Sequence, residues 1–248
     1  MSPCVGCDKA TRGLAFGQVD VWLTDLDQIG ANELRNYGSI MSSDERARWV
    51  RFDVPQPKLQ HVVARAPLRT TLSRYANVKP EDWKFDTNTY GRPHITSPTS
   101  ALDLRFNLSH TEGLVVLAVA RDSDVGVDVE KVSRNVDIAQ IAPMVFAPAE
   151  VVALESSTKS NRRDMFFALW TLEEAYIKAR GMELSLTLDS FAFDLSGKRP
   201  CVIFNDDCRD DPACWSFERY FPTATHALAV AVAVPRHELN VQLNWTVP

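Results

Sequence analysis

Apolar residues recur along this chain in two rhythms. Period-two alternation predicts strands at Gln18–Leu23 (QVDVWL), Leu104–His110 (LRFNLSH) and Val125–Glu130 (VGVDVE). Leu114–Ala120 (LVVLAVA) is an unbroken apolar run and reads as a buried strand, with Arg121–Asp124 as the turn into the next. Further strands are predicted at 190–195, 201–204, 214–221 and 226–234. Helical spacing predicts helices at 42–52, 58–75, 136–145, 148–156 and 162–180. Ser42 and Glu45 stand at capping-box spacing, Pro55 and Pro57 close the first helix, and Asn77 with Pro80 closes the second. Gly181 is a natural left-handed stop for the last. Pro67 falls inside the second helix, where proline costs ~3 kcal/mol or forces a kink. Tyr90-Gly91-Arg92-Pro93 has turn chemistry and reads as a loop. Strands flank long helices in each half, so the expected fold is α+β, in two lobes meeting near residue 125. Residues 1–15 are expected as a loose leader, 16–124 as the first lobe and 125–248 as the second.

Composition narrows the class. The chain has 248 residues, 45% of them hydrophobic and 24% charged, typical of a globular protein. The longest apolar run, Ala227–Val234, is far short of the roughly 18–20 residues a membrane helix needs, and the first residues do not read as a secretory signal. A cytoplasmic protein without a membrane partner is expected. The net charge of −5 argues against wholesale nucleic-acid binding. Two arginine clusters, Arg46/Arg48/Arg51 and Arg65/Arg69/Arg74, read either as solvated helix faces or as surfaces for a phosphate-rich ligand. Five scattered cysteines argue against a disulfide framework, and Cys4 and Cys7 lack a partner pair at matching spacing.

Three stretches carry candidate chemistry. In VGVDVE, Val125, Val127 and Val129 point one way and Gly126, Asp128 and Glu130 the other. The two carboxylates are therefore roughly 6–7 Å apart along one strand face. Such a pair is either a solvated sheet face or a hard oxygen site suited to Mg²⁺. In the helix 162–180, Glu174 borders the apolar arc of Phe166, Leu169, Trp170 and Ile177, with Lys178 one turn on. Alone this is a helix-stabilising ion pair; beside a diphosphate it is an acid for metal or proton work and a cation for phosphate. Ser109 and His110, at a strand end, offer a hydroxyl and an imidazole to a phosphate. Nothing around them resembles a nucleophile elbow.

In this order and spacing, SSDERARWVRF (42–52), YGRP (90–93), FNLSHTEG (106–113), VGVDVE (125–130), FAPAE (146–150) and LWTLEEAYIKARG (169–181) resemble the 4′-phosphopantetheinyl transferases of the larger, surfactin-synthetase-activating type. The resemblance spans roughly residues 40–195. It implies two pseudo-symmetric lobes in one monomeric chain, each a small, mostly antiparallel sheet packed with a long helix, and coenzyme A bound between them. It implies Mg²⁺-dependent transfer of the phosphopantetheine arm to a serine of an apo acyl, peptidyl or aryl carrier protein, releasing adenosine 3′,5′-bisphosphate. Asp128 and Glu130 then match the metal ligands, with Glu174 as third ligand, general base or both. Lys178 matches a phosphate-contacting lysine, Ser109 and His110 the diphosphate and 3′-phosphate contacts, Arg92 the basic residue after the Tyr-Gly turn, and Arg48 a basic residue near the nucleotide. Glu150 matches a frequent acid without an assigned role.

Three departures stand out: Glu173 where the family has lysine, Gln60 where many relatives have arginine, and Pro67. Glu173 motivates an alternative, a non-catalytic coenzyme A- or carrier-binding module. A Mg²⁺-dependent diphosphate hydrolase using the same acids on water is a third reading, and the absence of a second acidic cluster in the sequence speaks against it.

Overall fold

The computed structural model describes residues 11–42, 45–47, 65–181, 190–205, 208 and 210–246. In the first lobe, β1 (Gln18–Asp25), β4 (Leu104–Thr111) and β5 (Leu114–Arg121) form an antiparallel meander, with α1 (Ala31–Ile40), a helical run α2 (65–72) and a hairpin of β2 (Lys84–Thr87) and β3 (Pro93–Ser97) between β1 and β4. In the second, β6 (Val125–Lys131) leads through α3 (Ile138–Val145), α4 (Pro148–Ser156) and α5 (Lys159–Arg180) to a hairpin of β7 (Phe191–Asp194) and β8 (Cys201–Phe204), then to β9 (Ser216–Thr223) and β10 (His226–Val232). The spatial order is β6–β10–β9. A last strand, β11 (Asn240–Trp245), returns to the first lobe and runs parallel to β1, giving the order β11–β1–β5–β4.

Alternation builds the layers. Val19, Val21, Leu23, Val116 and Ala118 on one sheet meet Val125, Val127, Val129, Leu228 and Val230 on the other in a shared buried core. The outer face of the first sheet packs Trp22, Phe106 and Leu117 against Leu68 and Leu72 of α2. The outer face of the second packs Ala229, Ala231 and Phe217 against Phe166, Leu169, Leu172 and Tyr176 of α5. The result is helix, sheet, sheet, helix, with small, mostly antiparallel sheets each packed with a helix, in line with the expected fold. Gly181 ends α5 at φ 61°, ψ 32°, and its N–H donates to Ile177 and Lys178 carbonyls.

The two lobes are sewn together along β4 and β6 by side chains. Asn107, Ser109 and Thr111 share one face of β4, and their oxygens accept from the Val127, Val129 and Lys131 amides at 3.0, 3.3 and 3.3 Å.

Several elements were not expected. The Tyr-Gly-Arg-Pro stretch is the turn of the β2–β3 hairpin rather than an isolated loop; β2 is almost wholly exposed, so its sequence carries no apolar alternation. β11 alternates but is largely exposed, and only its pairing to β1 reveals it, so the expected second lobe of 125–248 cedes its last strand to the first. Of the expected loose leader, residues 11–15 are anchored at two points: Leu14 is buried and the Arg12 amide donates to the Arg74 carbonyl at 2.6 Å. The Ser42–Glu45 capping box forms as predicted. Pro67 lies in the helical run described from residue 65; residues 58–64 of the expected second helix, Gln60 among them, lie outside the described residues.

Candidate functional site

The site lies where α5 crosses β6. Gly126 lets them meet: a Cβ there would stand 1.9 Å from the Ala175 carbonyl oxygen and 2.5 Å from the Ala179 nitrogen. With helix and strand backbones in contact, residues two and four positions along β6 face residues on the adjoining turns of α5. Asp128 is 5% exposed. Its Oδ1 accepts from Lys178 Nζ at 2.6 Å and Ser109 Oγ at 2.9 Å, while Lys178 Nζ also reaches Ser109 Oγ at 3.2 Å. Asp128, Ser109 and Lys178 are thus brought together from three elements. Asp128 Oδ2 is buried and has no hydrogen-bond partner among the described residues. A buried carboxylate oxygen without a donor is costly unless a cation meets it.

Glu130 follows on the same face. Burial first, and then the Asp128 charge, hold its carboxyl above the usual carboxylate range; Glu174 pushes the same way, while Arg134 and Lys178 oppose. Arg134 Nη2 is 3.4 Å from Glu130 Oε1. The three predicted acids therefore sense one another across the strand–helix contact. Among the described residues, however, no three acidic, His or Cys side chains are gathered as a ready metal cage.

The first lobe contains a twin that explains why this place is different. Val19-Asp20-Val21-Trp22 on β1 repeats the alternation of Val127-Asp128-Val129-Glu130 on β6, with the valines in the shared core and a buried aspartate between them on the opposite strand face. Asp20 is fully buried and fully satisfied: Oδ1 accepts from Gln18 Nε2 at 3.0 Å, and Oδ2 from Tyr75 at 2.6 Å and Arg12 at 2.7 Å. Its twin Asp128 keeps one oxygen unmet and has a carboxylate, not a tryptophan, two residues on. One lobe uses the buried aspartate as structure; the other leaves it chemically available.

His110 ends β4 and stays accessible. Desolvation, and after it the Lys178 cation, keep its imidazole below the ordinary value, with Asp128 pulling the other way; the ring is neutral at pH 7. Arg92 does not stand open toward Asp128; its guanidinium meets the Ala179 carbonyl oxygen, Asp124 and the Val125 carbonyl oxygen at 2.6, 3.1 and 3.4 Å. Arg48 lies outside the described residues, as do Cys4 and Cys7. Cys201, Cys208 and Cys214 are free thiols. The bridging roles of Asn107 and Thr111 went unassigned in the sequence, although the polar alternation Asn107-x-Ser109-x-Thr111 was the available signal.

Glu173 is not the solvated neighbour of the site that its spacing allowed. It is 4% exposed, the carboxyl it senses most strongly is that of Glu150, and its own Oε1 is buried with no hydrogen-bond partner among the described residues. Glu150 is a structural bracket: Oε2 accepts from the Ala147 amide at the start of α4 at 3.0 Å, and Oε1 from the Phe193 amide of β7 at 2.7 Å. Burial, with Glu150 adding to it, pushes the Glu173 carboxyl up to about 11. The folded protein therefore holds a proton there that the unfolded chain releases above its ordinary value of 4.5. Stability from this group is full below that value and is lost progressively as pH rises toward about 11. Glu173→Gln is expected to leave stability unchanged at pH 4 and to raise it by on the order of 1–2 kcal/mol at pH 8. Thermal melts at both pH values check this; an equal shift at both would refute the protonated pair.

Known proteins are similar to this chain along most of its length. Residues 124–233 match the 4′-phosphopantetheinyl transferase superfamily, and residues 30–122 match the family described as 4′-phosphopantetheinyl transferase, N-terminal. The 4′-phosphopantetheinyl transferase HetI of Nostoc is 32% identical over 220 residues, covering 89% of this chain and 90% of that one. Sfp of Bacillus subtilis is 29% identical, covering 67% and 72%. The L-aminoadipate-semialdehyde dehydrogenase-phosphopantetheinyl transferase of Mus musculus is 25% identical, covering 79% and 69%. Matched at both lobes and over nearly all of the Nostoc relative, this chain belongs to the 4′-phosphopantetheinyl transferases and is an enzyme of their larger, Sfp type.

Proposed function

We propose that this transferase moves the 4′-phosphopantetheine arm of coenzyme A onto a serine hydroxyl of an apo acyl, peptidyl or aryl carrier protein, with Mg²⁺, releasing adenosine 3′,5′-bisphosphate. The observation that carries this reading is the buried Asp128, whose Oδ1 is taken by Lys178 and Ser109 and whose Oδ2 is unmet. That oxygen, with Glu130 two residues on and already charge-strained, fits a hard divalent cation. Glu174 on α5, whose charge Glu130 senses, would complete the acidic set, serve as base, or both. Bound there, Mg²⁺ would supply charge neutralisation for the diphosphate.

The chain's own groups do the rest. Lys178 and the Ser109 hydroxyl bind diphosphate oxygens, and neutral His110 donates a hydrogen bond to a phosphate. Arg65 and Lys84, with the acids Glu45 and Asp86, line a 480 Å³ cavity beside Pro93, and its two cations are candidates for the nucleotide's phosphate; Arg48 matches a basic residue near the nucleotide by resemblance alone. A carboxylate, Glu174 where it serves as base, accepts the serine proton directly or through water as the serine Oγ bonds to the phosphopantetheine phosphorus and the bridging oxygen departs on the nucleotide. No step needs a covalent enzyme intermediate; positioning and charge do the work. One chain supplies both sides of the cleft, which suits a monomer. Among the described residues no helix is long and apolar enough to cross a membrane, and a cytoplasmic setting fits a coenzyme A-dependent reaction.

The alternative of a non-catalytic module rested on Glu173. Its carboxyl is buried and senses Glu150 first and Glu174 after it; held protonated there, it adds no negative charge beside Glu174, which supports the catalytic reading. Incubation with coenzyme A, Mg²⁺ and several apo carriers is expected to add one phosphopantetheine arm to at least one carrier by mass spectrometry. No mass gain on any, with tight coenzyme A binding, would establish the module instead.

A further inference from the structure

We propose that the β2–β3 turn is a cross-lobe clamp, and that Arg92 and Asn88 are positioning residues that set the relation of α5 to β6. The inference rests on the transferase reading for its kinetic consequences and on geometry for its structural ones.

The turn is internally locked. Asn88 Oδ1 accepts from the Tyr90 and Arg92 amides at 3.0 and 2.9 Å, the Asn88 amide donates to the Arg92 carbonyl at 2.9 Å, and Gly91 takes φ +91°. From this rigid base two side chains cross to the second lobe. Asn88 Nδ2 donates to the Gly181 carbonyl at 2.9 Å. Arg92 Nη1 donates to the Ala179 carbonyl at 2.6 Å and to Asp124 Oδ1 at 3.1 Å, and Nη2 to the Val125 carbonyl at 3.4 Å. Ala179 and Gly181 are the end of α5, whose last carbonyls lack helical donors and carry the negative end of the helix dipole. Asp124 and Val125 are the start of β6. One guanidinium therefore ties the helix bearing Glu174 and Lys178 to the strand bearing Asp128 and Glu130.

The fit is specific to this pairing. The Arg92 stem runs so close to Gly181 that a Cβ there would stand 2.6 Å from Arg92 Cδ. Three acceptors on one planar fork, with the side chain 14% exposed, occupy most of its donor capacity. A lysine ammonium at the end of a flexible stem cannot reproduce that fan of contacts. The clamp closes one end of the α5–β6 contact, and the Lys178–Asp128 ion pair lies beside it: Lys178 directly precedes Ala179, and Asp128 follows Val125 by three residues.

The test compares Arg92→Lys, Arg92→Ala and Asn88→Ala with the parent protein. Steady-state kinetics, coenzyme A affinity by titration calorimetry and amide hydrogen exchange at residues 176–181 are measured. The clamp predicts that all three variants lose protection at the end of α5. It predicts that kcat falls about tenfold or more in each, with the affinity for coenzyme A within about twofold. Asn88→Ala matters because it removes no charge, and Arg92→Lys because it retains charge without rescuing kcat. A tenfold loss of coenzyme A affinity in Arg92→Ala, restored by Arg92→Lys with exchange unchanged, would make Arg92 a phosphate ligand and overturn the proposal. Unchanged exchange and kcat in all three would overturn it equally. If the parent protein transferred no arm, the exchange measurement would still decide the clamp, so its failure is separable from failure of the transferase reading.

Discussion

Asp128→Ala is expected to reduce transfer to a carrier serine by about a thousandfold or more, the range seen when a preorganised charge partner is removed from a reaction centre. The substitution strips Lys178 of its 2.6 Å partner and Ser109 of its acceptor, and it removes the unmet Oδ2 proposed to meet the cation. Asp128→Asn separates charge from shape: the amide keeps the volume and an acceptor for Ser109, yet cannot neutralise Lys178 or a divalent ion. Both variants should remain folded by circular dichroism while transfer is lost, and excess Mg²⁺ should not restore it. Full activity in either would refute the assignment of the site. Asp20→Asn in the twin position is the internal control. Its carboxylate is spent on Arg12, Tyr75 and Gln18, so its loss should register in melting temperature before kcat.

Gly126→Ala is expected to cost about 3 kcal/mol, the upper range for forcing a methyl into a packed contact, or roughly 6–12 °C in Tm for a chain of this size. The atoms a Cβ would strike, at 1.9 and 2.5 Å, belong to the backbone of α5 and cannot swing aside as a side chain would. Relief requires the helix to lift from the strand. That movement would separate Lys178 from Asp128 two residues along, so transfer measured well below the melting temperature should fall as well. A variant as stable and active as the parent would show that the height of α5 over β6 does not set the site.

Much of the site could be read before any coordinates. The alternation in VGVDVE places Asp128 and Glu130 on one strand face because successive side chains of a strand must point oppositely, whatever the rest of the fold does. The i,i+4 spacing of Glu174 and Lys178 places them on one helix face for the equivalent reason. The helix–strand periods located α4, α5 and the central strands, since those segments are long and buried on at least one side. Segments with wet faces were harder: β2 and β11 carry little or irregular apolar pattern, and what makes them strands is a neighbouring strand distant in sequence.

Side-chain partners were illegible for a related reason. Whether Glu173 points to solvent, to the reacting centre or to Glu150 depends on which flank of α5 the α4–β7 junction covers, and no local spacing encodes that. Arg92 likewise reads as a free cation in a turn until the end of α5 arrives beside it. The sequence by itself determined the strand and helix faces, the pairing of acids with a lysine at helical spacing, and the membership in a family that these motifs signal. Only the tertiary structure decided that Asp128 keeps an unmet oxygen where Asp20 does not, that Glu173 is buried against a second carboxyl, and that Arg92 closes on α5. Those outcomes follow from contacts between segments tens of residues apart, where distance and desolvation, not periodicity, set the energy of each charge.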